Sequence, residues 1–217
     1  MILYCAANKP YFDIYFDLWA RQLQKFYPSH KKVIALYGGT TNDIQHANDL
    51  GVEVRDVTTD KRFPNELVKG HLFLLRWAHL PWDMGQQILE TQINCLAVNS
   101  AMTIPKDNMG VEHIRLSRWK PKPQGKVLGG LSCAVFTPTG AKKIVDQATV
   151  MIENPAKGDH EINHWQGQNL SHKLVYAEQQ FKGTTGNLQS DTRWITAGTS
   201  AHYTHEQKLQ ILKHYIK

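Results

Sequence analysis

Ile2-Leu3-Tyr4-Cys5-Ala6-Ala7-Asn8 opens the chain as a short apolar run, and Val33-Ile34-Ala35-Leu36-Tyr37 and Val52 to Val57 repeat the form. What lies between these runs decides the fold. Phe12, Phe16, Trp19, Leu23 and Phe26 fall at helical steps and share one face of a helix that ends before Pro28. Gly38-Gly39 breaks the second run. Thr41-Asn42 can cap a short helix through Ile44, Ala47 and Leu50, with Gly51 as its stop. The order strand, helix, strand, helix, strand predicts a largely parallel sheet covered by helices.

Working outward, a helix after Pro64 carries Val68, Leu72, Leu75 and His79 on one stripe and stops at Pro81. Gln86 to Val98 then reads as one buried strand whose far end carries two amides, Gln92 and Asn94. Lys126 to Phe136 reads as a further strand with Gly129-Gly130 near its start. Thr137-Pro138-Thr139 opens a helix that buries Ile144, Val145, Ala148, Met151 and Ile152. Asp159 looks like the N-cap of a short helix to about Leu170, and Leu174 to Ala177 like a late strand. A helix opened by Thr204, with Gln207 three residues on as a capping box, turns Leu209, Leu212 and Ile216 inward.

At 217 residues the chain can bury one sizeable core, and no Pro/Gly/Ser-rich stretch divides it, so a single domain over residues 1–217 is expected. The N-terminal apolar run is too short for a signal h-region, and no other run spans a membrane; a soluble, cytoplasmic protein is expected. Cys5, Cys95 and Cys133 sit in apolar runs without metal-type spacing, which fits reduced core thiols. Lysine plus arginine exceed aspartate plus glutamate by 25 to 19. Part of the excess gathers at Arg115, Arg118, Lys120, Lys122 and Lys126 around Trp119, a segment suited to an anionic partner whose bases or sugars the indole can stack on. Ordinary solvated surface is the plainer reading of the same charges.

His160-Glu161-Ile162-Asn163-His164 fits the HExxH zinc pattern, and Gly167 sits where the extended metzincin pattern has a glycine. The context argues against it. Asn154-Pro155 and Gly158-Asp159 place the motif in the first turn of its helix, the metzincin third-ligand position is Leu170, and no methionine follows Met151. Glu178 is left as a gluzincin-type third ligand, in what reads as a strand. These residues read better as a capped helix start lining a cleft, with a zinc metallopeptidase kept as the alternative.

Taken together, the chain resembles a small nucleotide-sugar glycosyltransferase of the GT-A fold. Ile2 to Asn8, the helix over Tyr11 to Tyr27 and Lys31 to Tyr37 resemble that fold's first strand, helix and second strand. Lys69-Gly70-His71 with Leu74-Leu75-Arg76-Trp77 and Leu80-Pro81 resembles the helix before its metal-binding strand. Ile88-Leu89-Glu90-Thr91-Gln92-Ile93-Asn94 then falls on the strand ending in the family's DxD, so that Gln92 and Asn94 replace the two aspartates. A second register would put Asn99-Ser100-Ala101 there. Gly129-Gly130-Leu131-Ser132 with Phe136-Thr137 resembles the sugar-contacting strand, Asp159-His160-Glu161 with Asn163 the acidic segment near the catalytic centre, and Ala201-His202-Tyr203 the late histidine that touches the diphosphate.

The resemblance implies a three-layer α/β/α domain with a central, mainly parallel mixed sheet. It also implies donor-binding roles for Ala6, Ala7, Asn8, Lys69, Arg76, Gln92, Asn94, Gly129, Gly130 and His202, with UDP-sugar foremost among the donors. Asp159 or Glu161 would be the carboxylate base. Amides hold hard cations weakly, so a divalent metal is dispensable on this reading, and Lys9, Lys69, Arg76 and His202 are the cations left to answer the diphosphate. A displaced metal site at Asp159, Glu161 and His202 is the alternative. The acceptor would be a hydroxyl: a hydroxylated base in DNA met by Arg115, Arg118, Trp119, Lys120 and Lys122, or a glycan or protein. A catalytically inactive sugar-nucleotide or partner-binding module also fits the missing carboxylates.

Overall fold

The computed structural model describes residues 1–63, 69–97, 133–153, 194–196 and 204–215. Strand β1 (Ile2–Asn8) leads straight into helix α1 (Lys9–Phe26). The turn between them is set by Asn8, whose side chain accepts the Tyr11 N–H at 3.3 Å as N-cap, and by Pro10, whose missing N–H costs nothing in the first turn. Phe12, Phe16, Trp19 and Leu23 are buried as the spacing predicted, Tyr15 is buried with them, and Phe26 at the helix end is only partly buried. Strand β2 (Lys31–Tyr37) and helix α2 (Thr41–Asp49) follow, then β3 (Val52–Asp56). Thr40, not Thr41 or Asn42, caps α2: its hydroxyl accepts the Asp43 N–H while its own N–H donates to the Asp43 carboxylate, a reciprocal capping box. Gly51, at φ +72°, closes that helix in a left-handed conformation that a side chain would oppose.

Helix α3 (Lys69–Ala78) and a single 3₁₀ turn (Trp82–Met84) precede β4 (Ile88–Thr91) and β5 (Cys95–Ala97). Beyond these lie β6 (Cys133–Phe136), α4 (Pro138–Glu153), β7 (Trp194–Thr196) and α5 (His205–Tyr215). The Thr204/Gln207 capping box is present: Thr204 N–H donates to Gln207 Oε1 at 2.9 Å, and Gln207 N–H to Thr204 Oγ1 at 3.2 Å. Among the described residues no helix is long and apolar enough to cross a membrane.

The main sheet has the order β3-β2-β1-β4-β6. Its first four strands run parallel, and β6 joins antiparallel, with Ile88 opposite Phe136 and Thr91 opposite Cys133. Side chains alternate across it as the pleat requires. Leu3, Cys5, Ala7, Ile34, Leu36 and Leu89 pack on one side with α1, Ala47 of α2 and Leu212 of α5. Ile2, Tyr4, Val33, Ala35, Ile88 and Phe136 pack on the other with α3 and α4, where Ile144, Ala148 and Ile152 are buried. The three-layer α/β/α architecture with a mainly parallel mixed sheet is therefore the observed one.

Two readings need correction. Residues 86–98 do not make one strand: β4 stops at Thr91, Gln92-Ile93-Asn94 turn, and β5 pairs antiparallel with β7 in a separate two-stranded sheet. An unbroken apolar pattern cannot signal which strand the next residues will pair with, so the split was not readable from it. β7 carries no strand signal in the sequence, being three residues in a polar neighbourhood. The expected strand over 126–136 is described only from Cys133, and the expected elements at 159–170 and 174–177 lie outside the described residues.

Candidate functional site

From β1 the chain moves outward to β2 and β3, then returns to lay β4 on the opposite side of β1. In open α/β sheets such a reversal, here between the carboxyl ends of β1 and β4, is where a ligand-binding crevice forms. The register pairs Ile2 with Ile88, Leu3 with Leu89 and Tyr4 with Glu90. Strand β1 continues beyond this register to Asn8, so Ala6-Ala7-Asn8 forms its carboxyl end. Ala6 is partly exposed and Ala7 buried, and neither carries bulk that would keep a ligand from the backbone. The positive end of the α1 dipole begins at the same point, with no acidic residue in its first turn.

The turn after β4 follows that strand's carboxyl end. Ile93 is 4% exposed and packs with Leu96, Ala97 and the α1 side of the core, while Gln92 and Asn94 on either side of it are partly exposed. In the sequence the two amides keep the one-residue spacing of a DxD pair. Among the described residues no group of three or more His, Cys, Asp or Glu is placed to hold a metal ion.

The candidate cations fare differently. Arg76, expected to face the donor diphosphate, is 6% exposed and spends its guanidinium on Glu90, itself fully buried. Nη2 donates to Oε2 at 3.0 Å, and Nε stands 2.9 Å from Oε1 but off the line of its N–H, so the second contact is ionic rather than a hydrogen bond. Burial pushes the Glu90 carboxyl up to about 7, against the downward pull of Arg76. Among the described residues the Tyr4 hydroxyl and the Trp77 indole N–H, buried on the same side, have no hydrogen-bond partner. Lys9 is held by Asp13 and, at 3.4 Å, by Asp43, which ties the first turn of α1 to α2. Lys69 is the first residue of α3.

Three contacts here carried no sequence signal. The Trp19 indole N–H donates to Thr91 Oγ1 at 2.9 Å, below the amide turn. The Tyr15 hydroxyl lies 2.9 Å from His205 Nδ1, and the Tyr11 ring meets the same imidazole edge-on at 5.2 Å, so α5 docks beside the tip of β1. Burial holds the Tyr15 phenol up at about 12. Glu90 could have been suspected, since a carboxylate inside Ile88-Leu89-Glu90-Thr91 needs a buried partner. Asp159, Glu161, Gly129, Gly130, His202, the HExxH segment and the basic Arg115, Arg118, Trp119, Lys120 and Lys122 all lie outside the described residues.

No protein-family model matches the chain, and no curated protein matches its sequence. Solved structures do match its fold. The apo form of the glycosyltransferase GlyE of Streptococcus pneumoniae TIGR4 overlays with a TM-score of 0.53 at 8% identity, over 82% of this chain and 43% of that one. A second GlyE structure gives 0.52 at 7% identity with the same coverage. The chain thus spans less than half the length of GlyE. At such identities the likeness is one of fold, and the fold is GT-A-like.

Proposed function

We propose that residues 1–217 form a single GT-A-like domain that moves a sugar from a nucleotide-sugar donor, UDP-sugar foremost, to a hydroxyl acceptor. The observation that carries this reading is the β1/β4 reversal of a GT-A-like sheet, with Ala6-Ala7-Asn8 at the carboxyl end of β1 and Gln92 and Asn94 in the turn that follows β4. GlyE, which shares the fold, is a glycosyltransferase, and that supports transfer chemistry here.

In this reading the β1 tip binds the nucleotide through its backbone and the Asn8 region, while the amides of Gln92 and Asn94 hydrogen-bond the diphosphate or the sugar. Two neutral amide oxygens do not fit Mg²⁺ or Mn²⁺, which take carboxylates, so no step is routed through a metal. The acceptor oxygen attacks the sugar's anomeric carbon as the bond from that carbon to the diphosphate breaks, and the acceptor's proton passes to Asp159 or Glu161. Lys69 and His202, with Gly129-Gly130 along the sugar, answer the charge that grows on the leaving diphosphate. Arg115, Arg118, Trp119, Lys120 and Lys122 suit a polyanionic acceptor such as DNA bearing a hydroxylated base; a glycan or protein hydroxyl is the plainer choice.

A thermal-shift screen with UDP-, GDP- and dTDP-sugars, each with and without Mn²⁺, tests the donor half. Binding to the folded state raises the melting temperature. One donor class should shift it, equally with and without the metal. No shift with any donor would leave the inactive-module reading, and stoichiometric zinc abolished by His160→Ala and by His164→Ala would favour the hydrolase. For the acceptor, DNA binding should weaken steeply with salt and fall in Arg118→Glu; salt-independent binding excludes DNA.

A further inference from the structure

The buried polar or charged residues among those described are Gln22, Lys32, Arg76, Glu90 and Thr91. Three of the five converge on the end of β4, so this strand end is where the fold concentrates its polar burial. Glu90 reaches through the α3 side of the sheet to Arg76, and Thr91 reaches through the α1 side to the Trp19 indole, its hydroxyl also 3.5 Å from the Tyr4 carbonyl oxygen. The next residue is Gln92.

Stability alone does not account for this arrangement. A buried ion pair roughly breaks even against apolar side chains of the same volume, because desolvation offsets the attraction. What it does confer is register. β4 shares only three paired positions with β1 and four with β6; Ile88 and Leu89 within it and Ile93 just after it are apolar. A slip of one residue would exchange the faces of every side chain and put Ile93 where Gln92 stands. With Glu90 and Thr91 anchored on opposite faces, such a slip would leave a charge and an indole N–H buried without partners, so it is strongly disfavoured.

We infer that Glu90–Arg76 and Thr91–Trp19 act as a two-sided clamp, and that these four are positioning residues which fix where Gln92 and Asn94 present their amides. What the amides do there rests on the glycosyl-transfer reading; that they are held in place by the clamp does not.

The test is the double variant Glu90→Leu/Arg76→Met, which replaces the pair with apolar side chains of similar size. Two readouts are taken: the melting temperature, and hydrogen exchange of the backbone amides of residues 92–97. The clamp predicts a melting temperature within a few degrees of the parent, exchange over 92–97 faster by at least ~10-fold through local opening, and donor turnover lower by ~100-fold. The swapped pair Glu90→Arg/Arg76→Glu should restore part of the protection. Parent-like exchange in the folded double variant overturns the clamp. Should that variant not fold, Thr91→Val/Trp19→Phe removes the opposite arm, and parent-like exchange there overturns it as well. If the parent turns over no donor, the transfer reading falls while the exchange result still decides the clamp.

Discussion

His79 Nε2 lies 2.9 Å from Asp60 Oδ2, but the imidazole N–H does not point along that contact, and Asp60 is already claimed by the Arg62 guanidinium on both of its oxygens. Burial dominates: it draws the imidazole down to about 4, with Asp60 pulling upward and Arg62 pushing down. A folded-state value below that of the unfolded chain means that the unfolded chain takes up the proton first. The contribution is therefore present above pH ~6.5 and is lost as pH falls toward about 4. Urea unfolding of His79→Gln should show less loss of stability over this range than the parent, by up to about 3 kcal/mol.

Glu90 works in the opposite sense. Its carboxyl rises to about 7 in the fold, so the folded state holds a proton that the unfolded chain releases near 4.5. Its contribution is fully present below pH ~4.5 and is lost as pH rises through about 7. In Glu90→Gln that decline should vanish, leaving stability that climbs from pH 4 to 6.5 on the His79 slope alone. A Glu90→Gln profile parallel to the parent's would show that the carboxyl titrates normally.

Breaking the Arg76–Glu90 pair one side at a time should be far worse than removing both. Arg76→Ala or Glu90→Ala leaves a charge or carboxyl in the core beside Tyr4 and Trp77, at about 3–5 kcal/mol each. The double variant Arg76→Ala/Glu90→Ala should cost much less than the sum of the two single losses, and chemical denaturation of the parent, both single variants and that double in a double-mutant cycle measures the coupling. Additive losses would mean that the two side chains act independently.

Thr91→Val preserves shape but removes the acceptor for the Trp19 indole. A buried N–H without a partner costs about 1–3 kcal/mol, read as a lower denaturation midpoint with unchanged slope. Thr91→Ser keeps the hydroxyl and should recover most of the loss.

Restoring carboxylates at the amide turn tests the crevice directly. Gln92→Asp/Asn94→Asp should bind Mn²⁺ measurably by calorimetry where the parent does not, and donor-induced thermal shifts should become dependent on Mn²⁺. Absence of metal binding in the folded double variant would place the amides away from any shared site.

The first half of the fold was readable because its signals are local. The stripe from Phe12 to Leu23, the Gly51 stop and the apolar runs at β1, β2 and β3 each state their structure within a few residues, and their alternation implies the parallel sheet. What stayed hidden depends on distance along the chain. Nothing near Ile88 to Ala97 says that Cys95 will leave β1 and pair with Thr196, that Trp19 will meet Thr91, or that Tyr15 will meet His205. The partner of Arg76 was hidden for the same reason: a helix pattern shows which residues are charged, but not that a carboxylate 14 positions later will be buried against one of them.

The split between β4 and β5 sets a rule of arithmetic for this crevice. Gln92-Ile93-Asn94 is the whole link between a strand locked into one sheet and a strand locked into another, with Ile93 pinned in the core between the two amides. Adding or deleting one residue would force one of the sheets out of register, whereas exchanging either amide for another side chain alters no main-chain path. The side chains offered at positions 92 and 94 are thus open to change by substitution, while the link that carries them is closed to change by length.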